Sequence, residues 1–279
     1  MNWKTGKNRV LDVGKPLIMG VLNVTPDSFS DGGLFLEPEC AVDRALEMVA
    51  EGADIIDIGG ESTRPSAPFV PVDEERRRVI PVVERLAGES ALTLSIDTYK
   101  PEIAKAAVAS GAAIVNDVGA ASLDPEMLEL VADTECGYVC MHMQGNPRTM
   151  QKAPVYSNVI DDMDRYFSMV INHYETVGVP LEQIVLDVGI GFGKSVDHNL
   201  ELLAHLENYK KHGRPILLGV SRKSFIGKVL GVEGTDERLA ASLACACWGL
   251  RAGCHIFRVH DISETSQAVR MWQAIEAAT

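Results

Sequence analysis

Positive charge is scarce in this chain of 279 residues. It has 26 Lys and Arg against 39 Asp and Glu, which gives a formal net charge of −13. This composition argues against a nucleic-acid surface as the main function, because such surfaces need an excess of basic residues. Any anionic substrate has to be held by locally placed Arg and Lys, against the field of the whole protein.

Long apolar runs are missing as well. No run approaches the ~20 residues of a membrane-spanning helix, and residues 1–16 lack the apolar segment of a signal peptide. The six cysteines form no C-x-x-C pair, and most of them lie in apolar runs. We therefore expect a cytoplasmic protein that does not bind membranes, with reduced cysteines rather than disulfides or zinc ligands.

The chain nevertheless has enough apolar residues for a substantial core. Their share is 46%, which suits one large domain or two small ones. No linker rich in Pro and Ser, no block of charge and no internal repeat divides the sequence. We expect a single domain over residues 1–279, with its core from about residue 15 to 279.

Strand-like apolar runs alternate along the chain with helical patterns. The runs cover residues 17–24, 53–60, 92–98, 113–118, 137–143, 184–189, 215–221 and 255–261. Patterns such as Asp73–Leu86, Pro101–Gly111 and Val196–Gly213 have the start and stop residues of helices. Strict alternation predicts a parallel sheet covered by helices. Eight units in about 260 residues predict an α/β fold, the (β/α)8 or TIM barrel.

Polar residues follow the predicted strands at one end only. The strands end in Asn23, Gly60-Glu61, Asp97, Asn116-Asp117, His142, Asp187, Ser221-Arg222-Lys223 and Arg258-x-His260. The opposite ends are bland, as at Leu17, Ala53 and Leu92. Because active sites of such barrels lie at the C-terminal ends of the strands, the asymmetry predicts a ligand site on that rim.

The loop after the first strand is the most unusual of these ends. Residues 17–33 read LIMGVLNVTPDSFSDGG, an apolar strand followed by a loop of small and polar residues. Gly32-Gly33 closes the loop with freedom at φ. The composition by itself fits a solvated connection or a mobile lid equally well.

Two further patterns have simple geometric meaning. Arg258 and His260 are spaced i, i+2 on the last strand, so their side chains face the same way and can together hold phosphate oxygens. The pair His142 and His260 could instead indicate zinc, but no third ligand has suitable spacing. We interpret Asp57, midway along the second strand, as a buried structural acid.

Other stretches are less specific. GIGFGKS (189–195) looks like a phosphate-binding loop, yet the motif would need Gly at position 188, where Val188 stands. Leu239–Leu250 is apolar almost all round, so it is either buried or part of a subunit interface.

Eight segments of the chain have a distinctive composition and order. They are GVLNVTPDSFSDGG (20–33), DIGGESTRP (57–65), SIDTYKP (95–101), IVNDV (114–118), MHMQGNPRTMQ (141–151), LDVGIGFGK (186–194), GVSRKSFIG (219–227) and FRVHD (257–261). Together they resemble the dihydropteroate synthase family of folate biosynthesis. The resemblance covers nearly the whole chain. It implies the joining of p-aminobenzoate to 6-hydroxymethyl-7,8-dihydropterin pyrophosphate, which gives 7,8-dihydropteroate and pyrophosphate. It also implies Mg²⁺ as cofactor, a homodimer, and sulfonamides as inhibitors.

The resemblance assigns the pterin to one set of residues. They are Asp97, Asn116, Met143, Asp187 and Lys223. Carboxylates and carboxamides accept the N–H donors of the pterin edge, and the lysine points at the pterin carbonyl. Asp97 and Lys223 are also expected to be catalytic. A nearby anion such as the carboxylate of Asp97 stabilises a pterin cation if pyrophosphate departs before the amine attacks.

The remaining assignments concern the pyrophosphate and p-aminobenzoate. The resemblance gives the pyrophosphate to Asn23, Arg64, Arg258 and His260, with Asn23 as the protein ligand of Mg²⁺. It gives p-aminobenzoate to Thr63, Pro65, Phe192 and Ser224. Asp31 and Arg64 are expected to be catalytic residues of the two mobile loops, with Asp31 closing over the pterin. No covalent enzyme intermediate is expected, because amine attack on a positioned cation is easy.

Two alternatives remain beside this expectation. A corrinoid-linked methyltetrahydrofolate methyltransferase shares a pterin-binding barrel but would not need the S-R-K-S segment (221–224) or the Thr63-Arg64-Pro65 loop. A non-catalytic pterin-binding protein would tolerate the loss of Asn23, Arg258 and His260, all of which are present.

Overall fold

Eight parallel strands close into a barrel with helices around it. The structure is a computed structural model that describes residues 1–6, 8–25, 38–62, 67–89, 92–119, 124–145, 150 and 154–278. The predicted (β/α)8 barrel is confirmed.

Each predicted apolar run contains one strand of the barrel. The strands are β3 Leu17–Asn23, β4 Ile55–Gly59, β5 Thr93–Asp97, β6 Ile114–Asp117, β7 Gly137–Met141, β8 Ile184–Asp187, β9 Ile216–Leu218 and β10 Ile256–Val259. Sequential strands are neighbours, and β10 pairs with β3 to close the barrel. The hydrogen-bonded strands are shorter than the runs at their ends, so that Asn23, Asp97 and Asp187 become last residues of strands.

Helices follow the strands on the outside. They are α1 Pro38–Glu51, α2 Val72–Ala87, α3 Pro101–Ala109, α4 Glu126–Thr134, α5 Val159–Thr176, α6 Val196–Ala204, α7 Ser224–Leu230, α8 Leu239–Ala252 and α9 Ile262–Glu276. Local sequence explains their starts: the Asn158 side chain accepts from the first N–H groups of α5, and Pro101 opens α3. Within the described chain, no helix is both long and apolar enough to span a membrane.

The prediction of one helix over Val196–Gly213 is wrong in its second half. The α-helix ends at Ala204, and a 3₁₀ helix covers Leu206–His212. Leu206 and Tyr209 are its buried residues, three positions apart. Three residues per turn place both on the same side, which explains why the tighter helix packs better here.

The inside of the barrel has an apolar lower layer and a polar upper layer. The lower layer includes Ile55, Ile114, Val139, Val185, Leu217 and Ile256. Two residues further along the chain from each of these stand Asp57, Asn116, Met141, Asp187, Arg258 and, just after β9, Gly219. Because side chains two apart on a strand share a face, the upper set points inward above the apolar layer. A closed apolar layer therefore lies beneath the polar residues of the C-terminal rim.

An N-terminal hairpin covers the opposite end of the barrel. Strands β1 Asn2–Gly6 and β2 Arg9–Asp12 pair antiparallel. Trp3 is fully buried in the lower apolar layer, and its indole Nε1 donates to the carbonyl of Gln183 at 2.7 Å. The core thus extends before residue 15, where the sequence predicts that it begins.

Candidate active site

A cavity lies at the C-terminal rim, where the polar ends of the strands meet. Its lining consists of Asp97, Asn116, Val118, Met141, Asp187, Phe192, Gly219, Lys223 and Arg258. The space amounts to about 300 Å³ including the part open to solvent. The strands thus bring together six of the residues that sequence reasoning selected, from β5, β6, β8, β10 and the loops after β8 and β9.

Arg258 is the centre of the hydrogen-bond network on the cavity floor. Its Nε lies 2.6 Å from Asp57 Oδ2, and its Nη2 lies 2.5 Å from Asp97 Oδ2. Asp57 Oδ2 also accepts from Asn116 Nδ2 at 2.9 Å. Asp57 is therefore the fully buried acid that sequence reasoning expected, but it also orients two residues of the site. Its mid-strand position in the sequence gave no sign of these partners.

Two carboxylate oxygens on this floor have no hydrogen-bond partner among the described residues. They are Asp57 Oδ1 and Asp97 Oδ1. A buried acceptor without a partner costs about 1–3 kcal/mol, and more if it is charged. Since Asp97 lines the cavity, a ligand that offers N–H donors would remove this cost.

Burial changes the acidity of the carboxyl groups. It raises the pKa of Asp97 to about 7, although the charge of Arg258 opposes the shift. Burial also raises the pKa of Asp187, and there the charge of Lys223 opposes it. Asp187 Oδ1 accepts from the backbone N–H of Gly189 at 2.8 Å, which fixes this carboxylate at the start of the glycine-rich loop.

Lys223 lies against that same loop. Its Nζ donates to the carbonyl of Ile190 and lies 4.6 Å from the centre of the Phe192 ring. Burial lowers the pKa of Lys223 to about 8, against the opposing effect of Asp187. A partly desolvated ammonium beside an aromatic face makes a favourable cation–π contact. The predicted pterin ligand Lys223 and the predicted ring wall Phe192 are therefore in direct contact.

Arg222 holds the turn from which Lys223 projects, a role that sequence reasoning missed. It adopts a left-handed conformation with φ 58°, which is uncommon for a residue with a side chain. Its N–H donates to Ser242 Oγ at 3.0 Å, and its Nε donates to Asp261 Oδ2 at 3.0 Å. Its carbonyl accepts from Arg238 Nη1 at 3.0 Å. These contacts keep the strained turn in place.

A buried ion cluster joins the two ends of the loop between β4 and α2. Lys100 Nζ lies 2.6 Å from Glu61 Oε2 and 2.5 Å from Glu75 Oε2, and it donates to the carbonyl of Val70 at 2.6 Å. Glu61 and Val70 stand on either side of the segment that contains Thr63, Arg64 and Pro65. The cluster thus fixes the positions from which that segment leaves and returns.

Asn23 is close to Asp97. A Cβ placed on Gly59 would lie 3.7 Å from Asp97 Oδ2 and 3.9 Å from Asn23 Oδ1. Gly59 pairs with Asn23 on one side and with Asp97 on the other, so the two side chains stand on either side of a residue that has none. Among the residues that the structure describes, no group of three His, Cys, Asp or Glu could hold a metal.

Other predicted residues lie outside the cavity lining or outside the described chain. His260 Nδ1 is 3.1 Å from Ser221 Oγ, Ser224 is the exposed first residue of α7, and Met143 is half-buried. The remaining predictions fall in segments that the structure does not describe: Asp31, Thr63, Arg64 and Pro65.

The geometry does not support a zinc site that includes both His142 and His260. Burial, with the charge of Lys194, lowers the pKa of His142 to about 3. Its Nδ1 faces Lys194 Nζ at 3.1 Å, whereas His260 contacts Ser221. Each ring is thus engaged by a different neighbour.

Comparison of the chain with known protein families identifies a family of enzymes that bind pterins. Residues 19–260 match the family described as pterin binding enzyme. The chain therefore belongs to the family of pterin binding enzymes.

Individual relatives are similar over nearly their whole length. The dihydropteroate synthase of Escherichia coli is 48% identical over 268 residues, covering 96% of this chain and 94% of that protein. The Yersinia pestis dihydropteroate synthase in complex with a sulfonamide drug has a TM-score of 0.93 and 41% identity, covering 99% of this chain and 100% of its own. The Xanthomonas albilineans dihydropteroate synthase with 4-aminobenzoic acid has a TM-score of 0.92 and 45% identity, covering 98% of both chains.

Proposed function

We propose that this chain is a transferase of folate biosynthesis with the activity of a dihydropteroate synthase. It condenses 6-hydroxymethyl-7,8-dihydropterin pyrophosphate with p-aminobenzoate to 7,8-dihydropteroate and pyrophosphate. The observation that carries the proposal is the cavity floor, where the unpartnered Asp97 Oδ1 lies beside Arg258 in a chain of the pterin binding family. The 48% identity to the Escherichia coli dihydropteroate synthase supports the particular reaction.

The upper layer of the barrel suits the pterin. Asp97 and Asp187 offer carboxylate oxygens to N–H groups, and Asn116 is held beside them by Asp57. Lys223 offers its ammonium to the pterin carbonyl. Met141 ends β7, Met143 lies two residues further on, and both supply apolar surface for the ring face.

Arg258 suits the leaving group. Although burial opposes it, the charges of Asp57 and Asp97 raise the pKa of Arg258 above its usual value. The guanidinium therefore stays charged, and its Nη1 remains for a phosphate oxygen while Nε and Nη2 are held by the aspartates. Arg64 and His260 complete the pyrophosphate site in this proposal. These groups counter the net charge of −13 locally.

The reaction proceeds by departure of pyrophosphate before bond formation. The bond between the pterin methylene carbon and the pyrophosphate oxygen breaks, and its electron pair leaves with pyrophosphate. The carboxylates of Asp97 and Asp187 stabilise the positive charge on the pterin. The amine nitrogen of p-aminobenzoate then attacks the methylene carbon and releases one proton to water.

The second substrate lies against Phe192. Its ring packs on the phenyl side chain, and Thr63, Pro65 and Ser224 provide the rest of its pocket. Sulfonamides would occupy the same place as inhibitors, which the drug complex of the Yersinia pestis relative supports. Asp31 and Arg64 are proposed as catalytic residues that act on the bound substrates.

Mg²⁺ is proposed as the cofactor, with Asn23 as its protein ligand. The amide oxygen of Asn23 is the hard donor that this ion prefers, and it stands near Asp97 at the end of β3. One protein ligand makes a weak site, so the metal binds together with the substrate. When bound, it neutralises charge on the departing pyrophosphate.

We also infer a cytoplasmic homodimer. The six cysteines are all free thiols, as in proteins of a reducing compartment. Helix α8 leaves Ala240, Ala244 and Trp248 exposed along one face, four residues apart. Such an apolar stripe on an otherwise acidic protein fits a second copy of the same helix.

The proposed activity is tested by pyrophosphate release. The purified protein with Mg²⁺ is given the pterin pyrophosphate, p-aminobenzoate, or both. Release that requires both substrates supports the synthase. Tight pterin binding without release would indicate a binding protein, and methyl transfer from methyltetrahydrofolate to a corrinoid would indicate the methyltransferase.

A further inference from the structure

A second buried lysine lies beside the cavity, and the proposed reaction does not use it. Lys194 is only 3% exposed, and it ends the stretch GIGFGK that follows β8. The stretch does not match a phosphate-binding loop. Lysine is among the residues least often buried, so its position needs another explanation.

The ammonium of Lys194 is surrounded by backbone acceptors from both ends of the glycine-rich loop. Its Nζ lies 3.0 Å from the carbonyl oxygen of Gly189 and 2.9 Å from that of Phe192. It also lies 3.3 Å from the carbonyl oxygen of His142 and 3.1 Å from His142 Nδ1. An ammonium has three N–H donors, so these acceptors use all of them.

The loop depends on such contacts because its backbone has an unusual conformation. Gly189, Gly191 and Gly193 have φ values of 65°, 84° and 62°. A Cβ on Gly189 would collide with the carbonyl oxygen of His142, so the loop packs tightly against the end of β7. Residues of this kind form no regular ladder of backbone hydrogen bonds, and side chains must satisfy their polar groups.

The same loop supplies two parts of the proposed site. The Phe192 ring faces Lys223 Nζ at 4.6 Å, and the carbonyl of Ile190 accepts from that ammonium. Ile190 and Phe192 belong to the segment whose first and last parts Lys194 binds, through the carbonyls of Gly189 and Phe192. A change in the loop would therefore first move the aromatic wall of the cavity.

The electrostatics of the neighbours agree with Lys194 as a hydrogen-bond donor to the loop. Burial lowers the pKa of Lys194 to about 7, while the charge of Asp187 opposes the shift. His142, whose pKa is lowered to about 3, stays neutral and can accept from the ammonium.

We propose that Lys194 is a positioning residue, whose ammonium holds the loop 189–193 so that Phe192 stands against the ring of p-aminobenzoate. This inference rests on the proposed function. Lys194 touches neither substrate; it acts through Phe192.

The test compares Lys194→Met with Lys228→Met, a matched loss of charge at an exposed position of α7. Steady-state pyrophosphate release gives the KM for each substrate. We expect Lys194→Met to raise the KM for p-aminobenzoate at least 10-fold and the KM for the pterin pyrophosphate less than 3-fold. Lys228→Met leaves both within 2-fold. If Lys194→Met does not fold, Lys194→Gln replaces it, because the Gln amide can still donate to two carbonyls. For Lys194→Gln we expect the KM for p-aminobenzoate to rise at least 3-fold.

A double mutant tests whether Lys194 acts through Phe192. In a Phe192→Ala background, the further change Lys194→Met is expected to alter the KM for p-aminobenzoate less than 2-fold. An unchanged KM in Lys194→Met, equal rises for both substrates, or full additivity with Phe192→Ala would overturn the inference. If the unaltered protein releases no pyrophosphate, the proposed function fails instead, so the two failures are distinguishable.

Discussion

Burial moves the pKa values of Asp97 and Lys223 toward each other, to about 7 and about 8. Both groups act in their charged forms in the proposed reaction. Asp97 loses its charge as the pH falls through 7, and Lys223 loses its charge as the pH rises through 8. The charged pair is therefore most populated between these values.

The pH profile of kcat/KM for the pterin pyrophosphate should reflect this pair. We expect a bell shape with limbs near pH 7 and pH 8. In Lys223→Arg the guanidinium stays charged, so the residual activity should lose its alkaline limb. The rate of pyrophosphate release from pH 5.5 to pH 10 checks this in buffers of constant ionic strength. An alkaline limb at the same pH in both proteins would show that another group titrates there.

Some residues of the site could be predicted from the sequence, and others could not. Asp97, Asn116 and Asp187 end apolar runs, and the end of a run is visible in the sequence. Asp57 lies mid-strand and meets Arg258 at a distance of 201 residues along the chain. Its partners depend on which strands face each other across the barrel, which a single sequence does not display.

At the scale of elements, the N-terminal hairpin shows how tertiary contact decides what is core. The barrel strands lie in continuous apolar runs, whereas β1 and β2 mix polar and apolar residues and alternate in exposure. Such mixed strands have a weak sequence signal, and the burial of Trp3 depends on contact with the lower end of the barrel. The hairpin was therefore missed although the barrel was predicted.

The hairpin should contribute strongly to stability and little to catalysis. Replacing a fully buried Trp by Ala costs about 3–5 kcal/mol, so Trp3→Ala should lower the free energy of unfolding in urea by about that much. The control Val10→Ala changes an exposed residue of the same hairpin and should stay within about 0.5 kcal/mol. KM values should not change in either variant. A decrease of less than about 1 kcal/mol in the free energy of unfolding of Trp3→Ala would contradict the role of Trp3 as a core residue at the lower end of the barrel.

At the scale of the whole molecule, the exposed stripe of α8 is the basis for the proposed dimer. Ala244 lies in the middle of the stripe, between Ala240 and Trp248. Ala244→Arg should separate the copies, because it buries an unpaired charge against an apolar surface. Sedimentation velocity should show about twice 30.3 kDa for the unaltered protein and about 30.3 kDa for the variant. The control Ala50→Arg, on an exposed position of α1, should leave the dimer intact. A monomeric unaltered protein would refute the dimer.

The barrel as a whole joins an apolar layer to a polar rim, and the cavity at this rim is proposed to perform the synthase reaction. The formation of 7,8-dihydropteroate, followed by mass spectrometry, tests it in the unaltered protein, in Asp97→Asn and in Asp133→Asn, an exposed acid of α4. We predict product from the unaltered protein, a rate within 2-fold for Asp133→Asn, and a loss of about 10²–10³ for Asp97→Asn. No product from the unaltered protein, or equal rates in all three, would contradict the proposed function of the cavity.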